Sequence, residues 1–552
     1  MTWLRRLLEN KRLLWLFAAS LVYLLLAMYQ LGLPGLHYDE AKEAGVNAME
    51  LIYGEPVTAF RGATLDILGA HFPLMVQDYI GALNVYLAAP ILALTGVGVP
   101  NLRVLSVLTG LLALLFAERA ISEWLACCEE LDSRSRAPIS VGGLIAVTLL
   151  AVSPSFVFWS RQGLFVTNLM QPLCFLSVWQ GLRWLRTDKR VALVISAFAG
   201  GLALYAKLQA VWIIAPFALL MAIWWAILWS RQSGDAPTLT RGLLVASTLA
   251  FLLPLAPFFL FNVKTGGTMM ALLSNAGRSY YGVDNLQVFD NLRVRGGQLA
   301  QVVRGEQFWY LGGSYANVAA PWLALAGVAA GLWRSPRCVF PPLLLVGVAM
   351  VASAFTISDL FVTHYALVYP FAIAAVVIAL DRVWRSFGAK TNLSHAVRAV
   401  VGLLIVIWFA GNLIDCLSYH RSLAKSGGLA DHSDASYHLA YFLRYNGLGA
   451  PIVLDWGMDA QVRFLSQGTV APIEIFGYDS LSEPDAGFAA RLDQFLGHSD
   501  NVYLLHAPQY VVFEGRREAF LAAAEQRGLL AHMIQSFEQR DGQVLYELWR
   551  VE

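Results

Sequence analysis

The feature that most constrains this chain is a series of long apolar runs, which recur from near residue 13 to near residue 417. A helix of about 17 to 25 apolar residues crosses the hydrocarbon core of a bilayer with all of its backbone hydrogen bonds made internally. Eleven runs approach or reach this length, and we interpret each as a membrane-spanning helix. They are Leu13–Leu33, Leu102–Ile121, Ile139–Trp159, Val166–Leu185, Val191–Ala206, Val211–Trp229, Leu243–Phe261, Val318–Trp333, Val339–Ile357, Phe361–Leu380 and Ala399–Leu417.

The composition agrees with a polytopic membrane protein. Of the 552 residues 57% are hydrophobic and only 14% are charged, against roughly 25% charged in a soluble domain. Lys plus Arg total 39 and Asp plus Glu 38, so no net charge indicates a nucleic acid partner. The five cysteines have neither C-x-x-C spacing nor the pattern of a disulfide framework. The fold expected from these features is a mostly α, polytopic helical bundle.

The orientation in the membrane follows from the short loops, because cationic loops resist translocation. Alternate loops carry nearly all of the short-loop Lys and Arg, which places the N-terminus in the cytoplasm and, with an odd number of spans, the C-terminus outside. The cytoplasmic cations are Arg5, Arg6, Lys11, Arg12, Arg119, Arg134, Arg136, Arg183, Arg186, Lys189, Arg190, Arg231, Arg241, Arg334, Arg337, Arg382, Arg385, Lys390 and Arg398. The first span lacks a small-x-small cleavage pattern, so we interpret it as an uncleaved anchor.

Three segments lie outside the spans on the outer side: residues 34–100, residues 262–315 and residues 418–552. The apolar stretch at 82–99 contains Pro90, Gly96 and Gly98, and a full crossing there would invert the charge pattern. It is better interpreted as an interfacial or re-entrant helix. The sequence therefore predicts a membrane domain at residues 1–417, with two outer loops, and an extracytoplasmic domain at residues 418–552.

The C-terminal segment predicts a small α/β domain. Short apolar strands at Pro451–Asp455, Ile473–Phe476 and Val502–His506 alternate with helical patterns, and two further strands end the chain near Leu530–Phe537 and Gln543–Val551. Predicted helices cover Met458–Ser466, Ala486–Leu496 and Arg516–Arg527. We interpret the domain as a folded cap that helps to shape an acceptor site.

Adjacent carboxylates follow the first span. Asp39 and Glu40 lie within a few residues of the hydrocarbon edge, where a charge is costly to hold. Such a carboxylate can accept a proton from a hydroxyl or bind a cation. The alternative is structural, since Asp39 is also a suitable N-cap for a helix over Glu40–Tyr53.

Further motifs follow in a consistent order and resemble those of the GT-C superfamily, the polytopic glycosyltransferases that use lipid-phosphate sugars. The likeness is to dolichyl-phosphate-mannose protein mannosyltransferases and to bacterial aminoarabinose transferases, in which an Asp-Glu pair follows the first span. The matching stretches are Asp39–Glu40, His71–Leu74 (H-x-P-L), Asn101–Ser106 (aRLpS), Leu204–Lys207 (T-K) and Thr363–Pro370 (RYLLPLYP, with His364 in place of the basic residue). The resemblance covers about residues 10 to 410.

The resemblance implies an inverting transfer from a polyprenyl-phosphate sugar to a hydroxyl of a glycan, lipid or protein. Asp39 is then the catalytic base and Glu40, with His71, orients the base or the acceptor. Cations near the outer surface stabilise the departing phosphate, and Arg103, Arg161 and Lys207 are the favoured candidates. Other candidates stand in the second outer loop, and the span beginning at His364 and Tyr365 adds two substrate-binding residues. The loop candidates are Lys264, Arg278, Arg293, Arg295 and Arg304.

The resemblance leaves a divalent cation open as a cofactor, but Asp39, Glu40 and His71 do not make a recognisable ligand set, so no metal ligand is assigned. It also leaves the sugar open, because Lys42 and Glu43 stand where the aminoarabinose transferases have Arg and Tyr.

The alternatives to an enzyme are a transporter or flippase-associated protein, and a silent relative that binds a partner. No internal repeat is visible and no G-x-x-x-x-G-K-[ST] occurs, which disfavours a transporter and an ATP-driven pump.

Overall fold

The computed structural model describes residues 10–131, 141–230, 236–386 and 392–552. Some of the cations used for the orientation lie outside the described residues, as does Ile139, the predicted start of the third run. These cations are Arg5, Arg6, Arg134, Arg136, Arg231 and Lys390.

All eleven apolar runs coincide with helices. The helices are Lys11–Met28, Val99–Leu131, Gly142–Ala151 with Pro154–Arg161, Met170–Thr187, Arg190–Ala206, Val211–Ser230, Arg241–Leu252 with Ala256–Thr265, Ala320–Arg334, Pro336–Ala352, Tyr365–Ser386 and Asn392–Ser426. In the described part of the chain, six helices are long and apolar enough to cross a membrane, and a bent pair makes a seventh. The chain is a mostly helical, multi-pass membrane protein.

Prolines explain the interruptions of the helices. The third run bends by 64° between Ala151 and Pro154, because Pro154 donates no backbone hydrogen bond and disfavours helix in the residue before it. A short 3-10 turn at Leu253–Leu255 divides Arg241–Leu252 from Ala256–Thr265. The interruptions therefore follow from local chemistry.

The first outer loop folds as a helix, two small antiparallel sheets and a second helix. Tyr38–Glu40, Ala41–Gly45 and Val46–Tyr53 form one continuous helical segment, here called the site helix, of which Ala41–Gly45 is π-helical. Strands β1 (Thr64–Ile67) and β2 (Ala70–Pro73) pair, as do β3 (Met75–Gln77) and β4 (Ile80–Gly81). The helix Leu83–Thr95 follows, where the sequence predicts an interfacial or re-entrant helix.

The second outer loop contains the helices Gly267–Ser274 and Val288–Arg304 and a 3-10 turn at Trp309–Leu311. The last helix of the bundle, Asn392–Ser426, runs through the predicted domain boundary at 417–418. It continues because Tyr419, His420 and Leu423 are buried against the bundle and the outer loops. The chain leaves the bundle only after Ser426, and residues 427–552 are called the C-terminal region below.

The C-terminal region has the predicted α/β character. Its sheet contains β5 (Ile452–Val453), β6 (Ile473–Glu474), β7 (Val502–His506), β8 (Ala531–Glu538) and β9 (Val544–Val551) in the order β6-β5-β7-β9-β8. Strands β6, β5 and β7 are parallel, whereas β9 is antiparallel to β7 and β8. The helices are Ala435–Tyr445, Asp459–Leu465, Phe488–Leu496 and Arg516–Gln526.

The C-terminal region packs on the first outer loop through one apolar core that contains residues of both. The approach is close enough to require glycine at two positions. A Cβ added to Gly35 would lie 2.1 Å from the Ser433 carbonyl oxygen, and one added to Gly45 would lie 2.9 Å from the Phe464 ring. The site helix is thus held between the bundle and the C-terminal region.

Candidate active site

The site helix begins earlier than the sequence predicts. It starts at Tyr38, and the Nδ1 atom of His37 accepts the backbone N–H of Asp39 at 3.2 Å as the N-cap. The expectation that Asp39 caps a helix starting at Glu40 is therefore wrong, and the Asp39 side chain is not used as a cap. Within this helix the π segment Ala41–Gly45 lies next to Asp39, and such segments occur frequently at functional sites.

Glu40 and Arg103 form a fully buried ion pair. The Arg103 guanidinium donates to both Glu40 carboxylate oxygens at 2.6 and 3.0 Å, and its other N–H groups donate to the carbonyls of Leu31, Pro34 and Gly35. All five N–H groups of the guanidinium are occupied. This arrangement ties the site helix to the second span and to the end of the first. It leaves no N–H group of Arg103 free for a phosphate and pairs both carboxylate oxygens of Glu40 with Arg103, which favours a structural role for both residues over the phosphate-binding and orienting roles predicted for them.

Asp39 lies near another acidic residue, Glu43, and interacts with it electrostatically. Its side chain is 30% exposed, whereas Glu43, four residues later, is buried and accepts a hydrogen bond from the Thr167 hydroxyl at 2.8 Å. Burial raises the pKa of the Glu43 carboxyl well above its usual range, and the Asp39 carboxylate adds to that rise. The pair therefore combines an accessible carboxylate with a carboxyl that favours its protonated form.

Lys207 is the cation of this site. It is buried at the junction of the helices Arg190–Ala206 and Val211–Ser230 and interacts electrostatically with Glu43 and Asp39. Burial lowers the pKa of its ammonium group, with Glu43 and Asp39 acting in the opposite direction. The loop is held in place because the Leu208 N–H donates to the Tyr79 carbonyl at 3.0 Å. Of the predicted phosphate ligands, the structure brings Lys207 to Asp39.

Two tyrosines complete the surroundings of the carboxylates. Burial raises the pKa of Tyr79, and the nearby Asp39 and Glu43 carboxylates raise it further. Burial also raises the pKa of Tyr281 to about 12, with contributions from Tyr280 and then Asp39. Both phenols therefore stay protonated and can donate hydrogen bonds near Asp39.

His364 and Tyr365 stand where the helix Tyr365–Ser386 begins, and His364 interacts electrostatically with Lys207. The His364 carbonyl accepts the Gln209 side-chain amide at 2.6 Å, and its Nδ1 lies 3.2 Å from the Arg295 guanidinium. Arg295 also lies over the Tyr365 ring, 5.8 Å from its centroid, and Tyr365 is buried in the bundle. Arg295 of the second outer loop thus reaches the start of the helix Tyr365–Ser386 by its contact with His364.

Arg161 has a supporting position. It is fully buried, donates to the carbonyls of Gln30 and Leu33 at 2.6 and 3.0 Å, and contacts His420 Nδ1 at 3.2 Å. It therefore fixes the outer end of the first span, where the chain turns toward the site helix. Its Nε has no hydrogen-bond partner among the described residues.

His71 lies on β2 of an exposed hairpin and contacts the Asp66 carboxylate at 2.6 Å, with both side chains more than half exposed. The hairpin precedes the helix Leu83–Thr95. The role predicted for His71, to orient the base or the acceptor, stays a prediction. Within the described ranges no group of three or more His, Cys, Asp or Glu side chains could hold a metal ion.

Glu43 is a residue of the candidate site that no sequence motif predicts, because it stands where the motif of the aminoarabinose transferases has Tyr. The available signal is its spacing of four residues from Asp39, which places both on one helical face.

Two crystal structures match the chain over nearly its whole length. They are ArnT from Cupriavidus metallidurans bound to undecaprenyl phosphate and the same protein in the apo state, with TM-scores of 0.55 and 0.57. In each case the alignment covers 97% of this chain and 97% of the other, at 14% sequence identity. The chain shares the fold of these ArnT structures. The resemblance expected from the sequence is thereby confirmed at the level of fold. No protein-family model and no curated protein sequence matches the chain.

Proposed function

We propose that this protein is a membrane glycosyltransferase that moves a sugar from a polyprenyl-phosphate donor to an acceptor hydroxyl. The observation that carries the proposal is the partly exposed Asp39 carboxylate, placed beside buried Glu43 and Lys207 on a GT-C fold. The undecaprenyl phosphate bound to the similar ArnT structure supports a lipid phosphate as the leaving group.

The reaction is a single displacement. Asp39 accepts the proton of the acceptor hydroxyl, and the hydroxyl oxygen attacks the anomeric carbon of the donor. The bond between that carbon and the phosphate oxygen breaks, and its electron pair stays on the lipid phosphate. One displacement inverts the anomeric centre, and the proton remains on Asp39 until solvent removes it.

The leaving phosphate needs a positive partner, and Lys207 fits that requirement. It is buried near Asp39 and Glu43, where a low dielectric strengthens an interaction with a phosphate. As negative charge develops on the lipid phosphate, it stabilises the ammonium form of Lys207 against the effect of burial. Arg295 contacts His364, which also interacts electrostatically with Lys207. Arg295 is therefore the second candidate cation for the lipid phosphate.

We place the reaction at the outer face of the cytoplasmic membrane. The distribution of the loop cations supports a cytoplasmic N-terminus and a site helix on the opposite side of the membrane. The C-terminal region then lies outside the cell membrane, where it covers the site helix.

The test uses full-length protein in nanodiscs with a panel of synthetic undecaprenyl-phosphate hexoses and pentoses, and a membrane extract as the source of acceptor. Release of undecaprenyl phosphate is measured. Asp39→Asn should lower turnover by about 10²- to 10⁴-fold, the usual contribution of a general base. Asp290→Asn, an exposed carboxylate of the second outer loop, is the matched control and should match wild type.

Full activity of Asp39→Asn would remove Asp39 from the role of base. If wild-type protein consumes no donor in the panel, the chain is a binding or transport protein with this fold.

A further inference from the structure

A polar cavity lies beside the segment of the site helix that carries Asp39 and Glu43. It has a volume of about 280 Å³ and is lined by the site helix, the loop around residues 58–61 and the C-terminal region. Tyr38 and Lys42 supply the wall formed by the site helix. These two residues are the direct neighbours of Asp39 and Glu43 along the helix, so the cavity lies on the adjacent face.

The opposite wall stands at the carboxyl ends of parallel strands. Glu474 is the last residue of β6, and Asp459 begins the helix that follows β5. Ligands of open α/β sheets bind outside the carboxyl ends of the strands, where loops leave a crevice. Here the site helix closes that crevice, with Tyr38 4.8 Å from the ring of Trp456, which follows β5.

The cavity wall carries hydrogen-bonding capacity that the described residues do not use. Asp459 Oδ1, Glu474 Oε1 and Arg463 Nε are screened from solvent and have no hydrogen-bond partner. The Arg463 and Asp459 atoms face each other at 3.7 Å, beyond hydrogen-bond distance. Buried polar groups in folded proteins are nearly always satisfied, so these three atoms indicate a polar occupant.

The charges on the wall compensate one another. The carboxylates of Asp459 and Glu474 stand against the cations of Lys42 and Arg463. A third lining cation, Arg61, is neutralised by its ion pair with Asp78 at 2.8 Å. A strongly anionic or cationic ligand would therefore meet repulsion from one pair. A neutral ligand with many hydroxyl groups can instead donate to the carboxylates and accept from the cations at the same time.

Two aromatic rings form part of the wall. The rings of Tyr38 and Phe60 line the cavity and offer flat apolar surfaces of the kind that pack against the C–H face of a sugar ring. The volume is close to the lower end of small-molecule sites, roughly 300 Å³. Burial raises the pKa of Glu474 to about 7, with Asp459 adding to the rise, so this carboxyl can both donate and accept near neutral pH.

We propose that this cavity is the acceptor site and that the acceptor is a neutral saccharide, held by its hydroxyl groups between Asp459, Glu474 and Lys42. This inference rests on the proposed transferase function and narrows the acceptor from glycan, lipid or protein to a glycan. A saccharide bound there contacts Tyr38, which directly precedes Asp39 in the site helix. Its reacting hydroxyl then points from the cavity toward the Asp39 carboxylate.

The test measures binding separately from turnover. Full-length protein is placed in nanodiscs without sugar-based detergents, and binding is followed by saturation-transfer NMR. The probes are neutral di- and trisaccharides, the same sugars carried on a lipid, a glucosamine disaccharide, a uronic acid disaccharide and a Ser/Thr-containing peptide. At least one neutral saccharide should bind. Response to the free and lipid-carried forms alike identifies the sugar itself as the recognised group, and response to the lipid-carried form alone identifies a glycolipid.

Substitutions in the wall should weaken that binding. Removing a buried hydrogen-bond partner of a polar ligand corresponds to a loss of about tenfold or more, which we expect for Glu474→Ala and for Lys42→Met. Lys42→Met keeps the length of the side chain and serves if Glu474→Ala does not fold. Asp493→Ala is the matched control, since Asp493 is an exposed carboxylate of the same region, paired with Arg527 at 2.8 Å.

The outcomes separate the two proposals. Asp39→Asn should bind the saccharide as wild type does while losing transfer. Saccharide binding without transfer from any donor would reject the transferase function and retain the cavity. Failure of every saccharide to bind, binding unaffected by Glu474→Ala and Lys42→Met, or preference for the peptide would overturn the inference even if transfer occurs.

Discussion

Substitutions in the buried Glu40–Arg103 pair test whether Glu40 stabilises the fold or takes part in the reaction. Arg103→Met removes all five donated hydrogen bonds and leaves the Glu40 carboxylate in a fully buried position. Removing one partner of a buried ion pair costs about 3–5 kcal/mol of stability. Glu40→Gln should cost less, because three of the five acceptors of Arg103 are backbone carbonyls that stay in place.

The double variant should be more stable than Arg103→Met alone, since it leaves no unpaired buried carboxylate. Thermal unfolding of the full-length protein in nanodiscs measures this order. Donor turnover per folded molecule is measured on the same samples at a temperature below the lowest transition.

If the assignment is right, Glu40→Gln lowers the unfolding temperature and leaves turnover per folded molecule within a few-fold of wild type. A Glu40→Gln variant that keeps wild-type stability but loses turnover by more than a hundredfold would refute the reasoning. In that case Glu40 belongs to the chemistry, as the adjacent Asp-Glu motif predicts.

Three further predictions follow. Lys207→Met should reduce turnover by about 10²- to 10³-fold, the usual loss of one charge-stabilising donor, and steady-state kinetics should show partial recovery in Lys207→Arg. Gly45→Ala should destabilise by about 1–3 kcal/mol through the close approach to Phe464, and combination with Phe464→Leu should restore the unfolding temperature. Glu474 has a pKa raised from 4.5 to about 7 by burial and Asp459, so its own contribution to stability should be fully present below pH 4.5 and fall by about 3 kcal/mol as the pH rises to 7. Thermal unfolding between pH 5 and 8 should show this slope in wild type and not in Glu474→Gln. The other groups that act on Glu474 are Lys42, Arg463, Tyr478 and Tyr38.

The positions of the helices and strands were predictable because their determinants are local. A bilayer requires long apolar helices, and all eleven runs became helices. In the C-terminal region, strand β7 has the predicted bounds and the other predicted elements agree within a few residues, whereas the helix Ala435–Tyr445 was not predicted. The domain boundary was not predictable, since the contacts that extend the last helix to Ser426 come from distant loops.

Residues of the candidate site could be predicted only where a short motif of neighbouring residues indicated them. Such motifs indicated Asp39 and Lys207, and in the structure these two residues interact electrostatically. Arg103 was assigned to phosphate because nothing local shows that Glu40, 63 positions earlier, occupies it. The exposure of His71 could not be predicted, because a hairpin can turn either face toward solvent and only the packing of the hairpin decides which face is exposed.

The π-helical segment Ala41–Gly45 sets which side chains of the site helix face Arg103 and which are exposed. A π turn accommodates one residue more than an α turn. If one residue is deleted there and the downstream half stays fixed by Gly45 and Phe464, every upstream residue advances by one position, a rotation of about 100°. Asp39 would then occupy the place of Glu40 opposite Arg103, and Tyr38 would stand where the base belongs. The adjacent acids thus keep separate positions, one anchoring and one exposed, because the helix contains a single additional residue, and loss of that residue would put Asp39 in the anchoring position and leave no acid in the exposed one.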